Sequence, residues 1–331
     1  MPKVIFRALA HELSTHGGLS NTRHLDVTEQ LGIFLFFAGQ HASSAQLQQR
    51  FQHSGETIHR HIRRVVSSIA GMAPTFIQIP SDDSKVPREI YGNPKFFPFF
   101  EHCRMAVDGT HVPVSVPEAI VAPFQGRKGV TMNVLAACDF DLMFTYVLAG
   151  WEGSAGDGKT VYDIMDAGFA LTTKCLTPYR STRYHLKEFG RGRQGPQTKE
   201  ELFNLRHAML RNVIERIFGI LKRRFPVLGT PVQYDYGFQV ELVMALCVVH
   251  NFIRVHGCRN DIYVTQAIQD LRIRREEPLN ESDRPQHHPE MESTEAKEWR
   301  DGIAVKMWTQ YQETMSRRNQ RRSIMRETVL V

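Results

Sequence analysis

The chain has 331 residues, 42% of them hydrophobic, and a formal net charge of +6. That length and apolar content allow one large domain plus a smaller one around a real core, and the expectation is a soluble globular protein. No apolar run reaches the roughly eighteen residues of a membrane span, the opening MPKVIFRALAHEL is too short in apolar residues for a signal peptide, and five widely spaced Cys without a CxxC read as reduced thiols of an intracellular protein.

The first 24 residues predict a short amphipathic helix, a Gly-Gly turn and a polar loop. DVTEQLGIFLFFA (26–38) predicts a capped helix, apolar almost all round and so central to a small bundle. Residues 43–51 and 54–70 predict two short helices with a tight turn, which fits a helix-turn-helix. In the second, Ile58, Ile62, Val65, Val66 and Ile69 would face the bundle. His59, Arg60, Arg63 and Arg64 would face outward, toward phosphates or base edges. An ordinary helical hairpin with a basic face explains the same pattern.

Prolines at 74, 80, 87, 94 and 98 mark a linker and a boundary near Pro94. Strands follow at 105–116, 131–139 and 143–150, with Phe140-Asp141-Leu142 as a tight turn, so an antiparallel meander is expected, then a short fourth strand at 162–165. Residues 198–225 predict one long helix, opened by a Thr198 to Glu201 capping box. Its apolar stripe is Leu202, Leu205, Met209, Val213, Ile217, Ile220 and Leu221, and a polar line, His207, Arg211 and Glu215, runs beside it at spacings of four. Another apolar helix is expected at 238–255. Beyond 260 the chain reads as polar loop, disordered over 276–294, and closes in a helix from Thr294 to about Arg318. There Trp299, Ile303, Met307, Trp308 and Tyr311 form a docking face. Three segments result: 1–95 helical, 96–260 mixed α/β, 261–331 a polar tail.

Asp108 in the first strand, Asp166 at the end of the fourth and Glu215 on the long helix could meet around one pocket. Three such carboxylates repel one another unless cations neutralise them, and their hard oxygens favour Mg²⁺ or Mn²⁺. Two ions about 3.5 to 4 Å apart would activate the attacking hydroxyl and stabilise the leaving oxygen of a phosphodiester. Taken singly, Asp108 also reads as a turn residue before Gly109, and Glu215 as a surface partner of Arg211 or Arg216. The phosphate-loop pattern GSAGDGKT (153–160) lies too close to Gly168 for the helix it needs. Cys247, His250, His256 and Cys258 could suggest zinc, but a buried thiol and a satisfied histidine on an apolar helix explain the first two as well.

MAVDGTH, Arg127-Lys128-Gly129, NVL at 133–135, FTYVLAGWEGSAGD, DAGF, LTPYRSTRYHLKEF, ELFNLRH and RNVIERIFGILKRRF, in this order, resemble the DDE domain of Harbinger-type transposases and their domesticated relatives. The resemblance covers about residues 25–257. It implies an α/β, RNase H-like mixed sheet with flanking helices behind a small all-α helix-turn-helix domain. It also implies a metal-binding triad of Asp108, Asp166 and Glu215, and Mg²⁺- or Mn²⁺-dependent cleavage and strand transfer on double-stranded DNA at transposon ends, in the nucleus. A Myb-like DNA-binding partner and a homo-oligomer are the implied associations. The cations set against DNA are Arg60, Arg63, Arg64, Arg127, Lys128, Arg211, Arg216, Lys222, Arg223 and Arg224, with His207 and Arg211 able to position Glu215.

The chain departs from the family pattern between GSAGD and DAGF, where a longer segment with a helix is usual, and Gly156 replaces the usual His. A parallel crossover ordinarily needs a dozen or more residues and a covering helix. The alternative reading is therefore a catalytically inactive DNA-binding or partner-binding protein derived from a transposase.

Overall fold

A computed structural model describes residues 1–126, 129–149, 161–183, 195–257, 261–274 and 292–329. The chain divides into two compact units, one of Met1–Ser81, Val107–Ala155 and Val213–Gln269, the other of Asp82–Ala106, Gly156–Asn212 and Asp270–Val331. The boundaries expected at 95 and 260 are not those of the units.

The first unit opens with α1 (Lys3–Thr15), α2 (Val27–Gln40), α3 (Ser44–Phe51), α4 (Gly55–Gly71) and α5 (Ala73–Phe76). Their starts are set by short polar side chains. Asp26 accepts from the Glu29 N–H at 2.7 Å, Ser43 and Gln46 form a reciprocal capping box, and Ser54 accepts from the Thr57 N–H at 3.2 Å. Leu31, Phe34, Ile58, Ile62, Val65 and Ile69 are fully buried, as an apolar stripe at helical spacing requires.

The second unit contributes α6 (Arg88–Tyr91) and the start of β1 (Cys103–Pro113), a strand that runs on into the first. In the first unit β2 (Gln125–Gly126), β3 (Gly129–Cys138) and β4 (Phe144–Ala149) follow. There β3 pairs antiparallel with β2 and β4 and also neighbours β1. The β3–β4 turn is fixed by Asp139, whose Oδ1 accepts from the N–H groups of Asp141 and Met143, each at 2.9 Å. Leu142 takes a positive φ of 62° there. In the second unit β5 (Tyr162–Ile164) pairs parallel with β1, and β6 (Cys175–Leu176) parallel with β5. The pairing at β2 and β6 is only two residues long, below what alternation in the sequence can signal.

Helix α7 (Lys199–Arg224) starts at Thr198, whose hydroxyl accepts from the Glu201 N–H at 3.2 Å. The Glu201 carboxylate does not complete a capping box, because it accepts from the Gln197 N–H and from Arg183. Helix α8 (Tyr236–Val255) is capped by Asp235 and carries the first unit's core through Phe238, Leu242, Leu246, Val249 and Phe252. The expected polar loop after 260 contains α9 (Ile262–Arg274). The stretch expected to be disordered lies mostly outside the described residues.

Helix α10 (Thr294–Val329) runs past Arg318. Its docking face is centred on Ala296, Arg300, Ala304 and Met307, all buried, with Trp299 edge-on to Tyr162 at 4.8 Å. Trp299, Ile303, Trp308 and Tyr311, expected at the centre of that face, are only half-buried beside it. The result is a mixed α/β architecture preceded by an all-helical segment.

Candidate active site

Asp108 follows Ala106 on β1 by two residues, and Asp166 follows Ile164 of β5 by two. Ala106 and Ile164 are partners in the parallel register of these strands. Asp108 lies on β1, and Asp166 lies two residues past the end of β5. Asp108 is half-buried and its Oδ1 accepts from the Gly109 N–H at 2.8 Å. Asp166 is half-buried as well, at the head of a turn closed by the Phe169 N–H on the Asp166 carbonyl at 3.1 Å.

Glu215 is the one exposed residue of α7 between Leu202 and Leu221. The helix was expected to show a polar flank. Instead Asn204, Arg206, His207, Arg211 and Asn212 are all buried. The partners of Asn204, Arg206 and His207 are backbone groups and a neighbouring helix. Asn204 accepts from the Tyr179 N–H at 2.7 Å and donates to the Tyr179 carbonyl at 2.9 Å. Arg206 donates to Gln310 of α10 at 2.9 Å. His207 is wholly buried with Nε2 3.0 Å from the Leu176 carbonyl, and burial pushes its pKa down to about 3. A neutral ring that donates to Leu176 follows, so His207 fastens α7 to β6 and is not a DNA contact.

The cations expected on DNA fare differently. Arg127 and Lys128 lie outside the described residues. Arg224 is buried, paired with Asp261 and set over the Tyr263 ring at 5.5 Å, so its charge is committed to the fold, and Arg211 is only 7% exposed. Lys222 holds the β1 end through the Thr110 hydroxyl at 2.8 Å and the His111 carbonyl at 2.9 Å. Arg216 and Arg223 are half-buried.

On α4 the face expected to meet DNA is partly engaged by its own unit, with Arg60 and Arg63 still exposed. Arg63 pairs with Asp235 at 2.5 Å and lies over the rings of Tyr234 and Phe238. His59 stacks on Tyr234 at 4.1 Å. Arg64 is half-buried and reaches Ser20. Arg60 is exposed, paired with Glu56 one turn before it. The helix pair is present, and His59 and Arg63 of α4 contact residues at the start of α8, which helical periodicity alone could not reveal.

Sequence reasoning missed the residues that hold this scaffold. Gln239 bonds both the N–H and the carbonyl of Ser115, at 3.0 and 2.7 Å, and Asn251 does the same for Phe144 at 2.9 and 2.7 Å. As expected of them, His250 is satisfied by the Leu142 carbonyl at 2.9 Å and Cys247 is a buried free thiol, like Cys103, Cys138 and Cys175. Amides inside a strongly apolar helix were the available signal. Asp163, the buried carboxylate of β5, is held by two hydrogen bonds from Arg104 at 3.3 and 3.2 Å, which oppose the upward push of burial on its pKa.

Among the described residues no three His, Cys, Asp or Glu side chains are gathered closely enough to hold a metal ion. The chemical fit of a divalent cation therefore rests on the donor type, three carboxylates with hard oxygens. The GSAGDGKT stretch and the short segment before Asp166 lie outside the described residues, except from Val161 on.

Comparison with known proteins adds the lineage. A family model described as DDE superfamily endonuclease matches residues 107–251, and one described as a domain of unknown function (DUF8040) matches residues 1–71. The chain is 26% identical to "Putative nuclease HARBI1" of Homo sapiens over 62% of this chain and 60% of that protein, and 27% identical to the Bos taurus protein of the same name over the same shares. It is 26% identical to "Protein ALP1-like" of Arabidopsis thaliana over 71% of this chain and 62% of that one. The chain thus spans about three fifths of the length of the curated relatives it matches. No solved structure matches it. Residues 107–251, which carry most of the mixed sheet, are thus similar to DDE superfamily endonucleases, and the chain is similar to proteins named putative nuclease HARBI1 and ALP1-like.

Proposed function

We propose that this protein is a DNA endonuclease of the transposase type, acting in the nucleus, whose Asp108, Asp166 and Glu215 hold two divalent ions, Mg²⁺ or Mn²⁺. The observation that carries the reading is the parallel register of β1 and β5, in which Asp108 and Asp166 each lie two residues beyond the pair Ala106 and Ile164. Exposure of Glu215 alone on the buried middle of α7 adds to it. Bound ions of this kind supply a Lewis acid and an activated hydroxyl for phosphodiester cleavage. The protein's part is to fix Asp108 on β1 and Glu215 on α7, with α7 pinned by His207 and Asn204 and β1 pinned by Lys222, and to hold Asp166 in the turn that follows β5. Duplex DNA is the substrate this reading assigns, with phosphate contacts from Arg60, Arg216 and Arg223 that weaken with salt.

The test is cleavage of a labelled duplex bearing the element's terminal repeats, with Mg²⁺ or Mn²⁺, comparing the chain with Asp108→Asn and Glu215→Gln. Cutting by the parent and loss of at least about a hundredfold in both variants is expected. Retained duplex binding without cutting by the parent would replace this reading with that of a DNA-binding protein derived from a transposase.

A further inference from the structure

Asp166 stands in a turn that has no regular secondary structure of its own. Arg180 bonds the backbone of that turn. The Arg180 guanidinium donates to the Ala167 carbonyl at 3.3 Å and to the Phe169 carbonyl at 3.1 Å, bracketing the turn from Asp166 to Phe169. Its third partner is the Glu292 carboxylate at 3.3 Å, just ahead of α10, with side-chain exposures of 22% and 17% for the two residues. Partial burial of both makes this pair stronger than an open surface ion pair.

The segment that carries Arg180 is itself tied to α10. Arg300 donates to the Thr177 and Pro178 carbonyls at 3.4 and 3.2 Å and lies over the Tyr179 ring at 4.0 Å. The Tyr179 hydroxyl donates to Asp301 at 2.5 Å. A chain of contacts thus runs from α10 through residues 177–180 to the turn behind Asp166.

We propose that Arg180 is a positioning residue for Asp166, held in place by Glu292, so that the C-terminal helix sets the stance of one carboxylate of the proposed metal site. This rests on the endonuclease reading only in the role given to Asp166. Arg180 touches neither substrate nor metal and acts through the backbone of residues 167–169.

The experiment is hydrogen exchange on the full chain, read at the amides of residues 167–170, for the parent, Arg180→Gln, Arg180→Lys and Glu292→Gln, with and without Mn²⁺. Arg180→Gln should speed exchange in the turn about tenfold or more while the β3 and β4 amides stay unchanged. Glu292→Gln should have a smaller effect of the same kind, and Arg180→Lys should restore part of the protection. Mn²⁺ should protect the turn in the parent, with a half-saturating concentration about tenfold higher in Arg180→Gln. Unchanged exchange in Arg180→Gln, or faster exchange throughout the molecule, overturns the proposal. A freed turn in Arg180→Gln with no Mn²⁺ protection in the parent leaves the clamp standing and sinks the metal reading alone.

Discussion

Replacing Asn251 by Leu should unfold the first unit or come close to it. Asn251 is completely buried. Its Oδ1 accepts from the Phe144 N–H at 2.9 Å, and its Nδ2 donates to the carbonyls of Phe144 at 2.7 Å and Phe76 at 2.8 Å. It thereby completes the hydrogen bonds at the start of β4 and joins that strand to the end of α5. Leu has a similar volume, so packing is kept while one backbone N–H and two carbonyls lose their partner away from water. Each such group costs about 1–3 kcal/mol, less where a carbonyl keeps a second bond, giving about 3–6 kcal/mol in all. Against a total stability of roughly 5–15 kcal/mol this is a large fraction. The assay is urea unfolding followed by circular dichroism and by tryptophan fluorescence, with coincident transitions required before a free energy is taken. A loss under about 1 kcal/mol would refute the reasoning, since it would mean those three groups find other partners.

Asp139→Asn should stabilise the protein at pH 8 and leave it unchanged near pH 4, because burial raises the Asp139 pKa to about 6. The folded state binds this proton more tightly than the unfolded chain, so wild-type stability falls as pH rises through that value. Asparagine keeps the oxygen that accepts from Asp141 and Met143; thermal melts across pH would show the two curves converging on the acid side. Asp261→Asn leaves Arg224 as an uncompensated buried charge and should cost about 3–5 kcal/mol by urea unfolding, whereas Arg224→Met with Asp261→Leu should cost clearly less. Deleting residues from Thr294 on should abolish soluble expression, because it uncovers Tyr162 and strips the Thr177 and Pro178 carbonyls of Arg300.

The helices of this chain are legible because capping residues and apolar spacing agree: Asp26, Ser43, Ser54 and Asp235 all stand where they cap. The middle strands are legible for the same reason, through their β-branched and aromatic runs. What periodicity cannot tell is whether a polar line on a helix meets water or protein. His207 and Arg211 fall on a flank that looks solvated, and both are buried because α7 is covered almost all round. Likewise Arg63 reads as an outward cation, while the aromatic pair Tyr234 and Phe238, far away in the chain, supplies the surface that takes it. Strands of two residues and a helix as polar as α9 carry no pattern strong enough to stand out.

The composition of α7 follows from its two duties. A helix surrounded by protein would ordinarily be apolar throughout, since each buried polar group needs a partner. In α7 the buried Asn204 and His207 bond the backbone of Tyr179 and Leu176, so its orientation is fixed by directional bonds as well as by apolar packing, which tolerates small rotations. Rotation by one residue would carry Glu215 about 100° around the axis and into the core. Directional bonds on a helix that must present one carboxylate therefore make physical sense, and their loss should move Glu215 before it melts the helix.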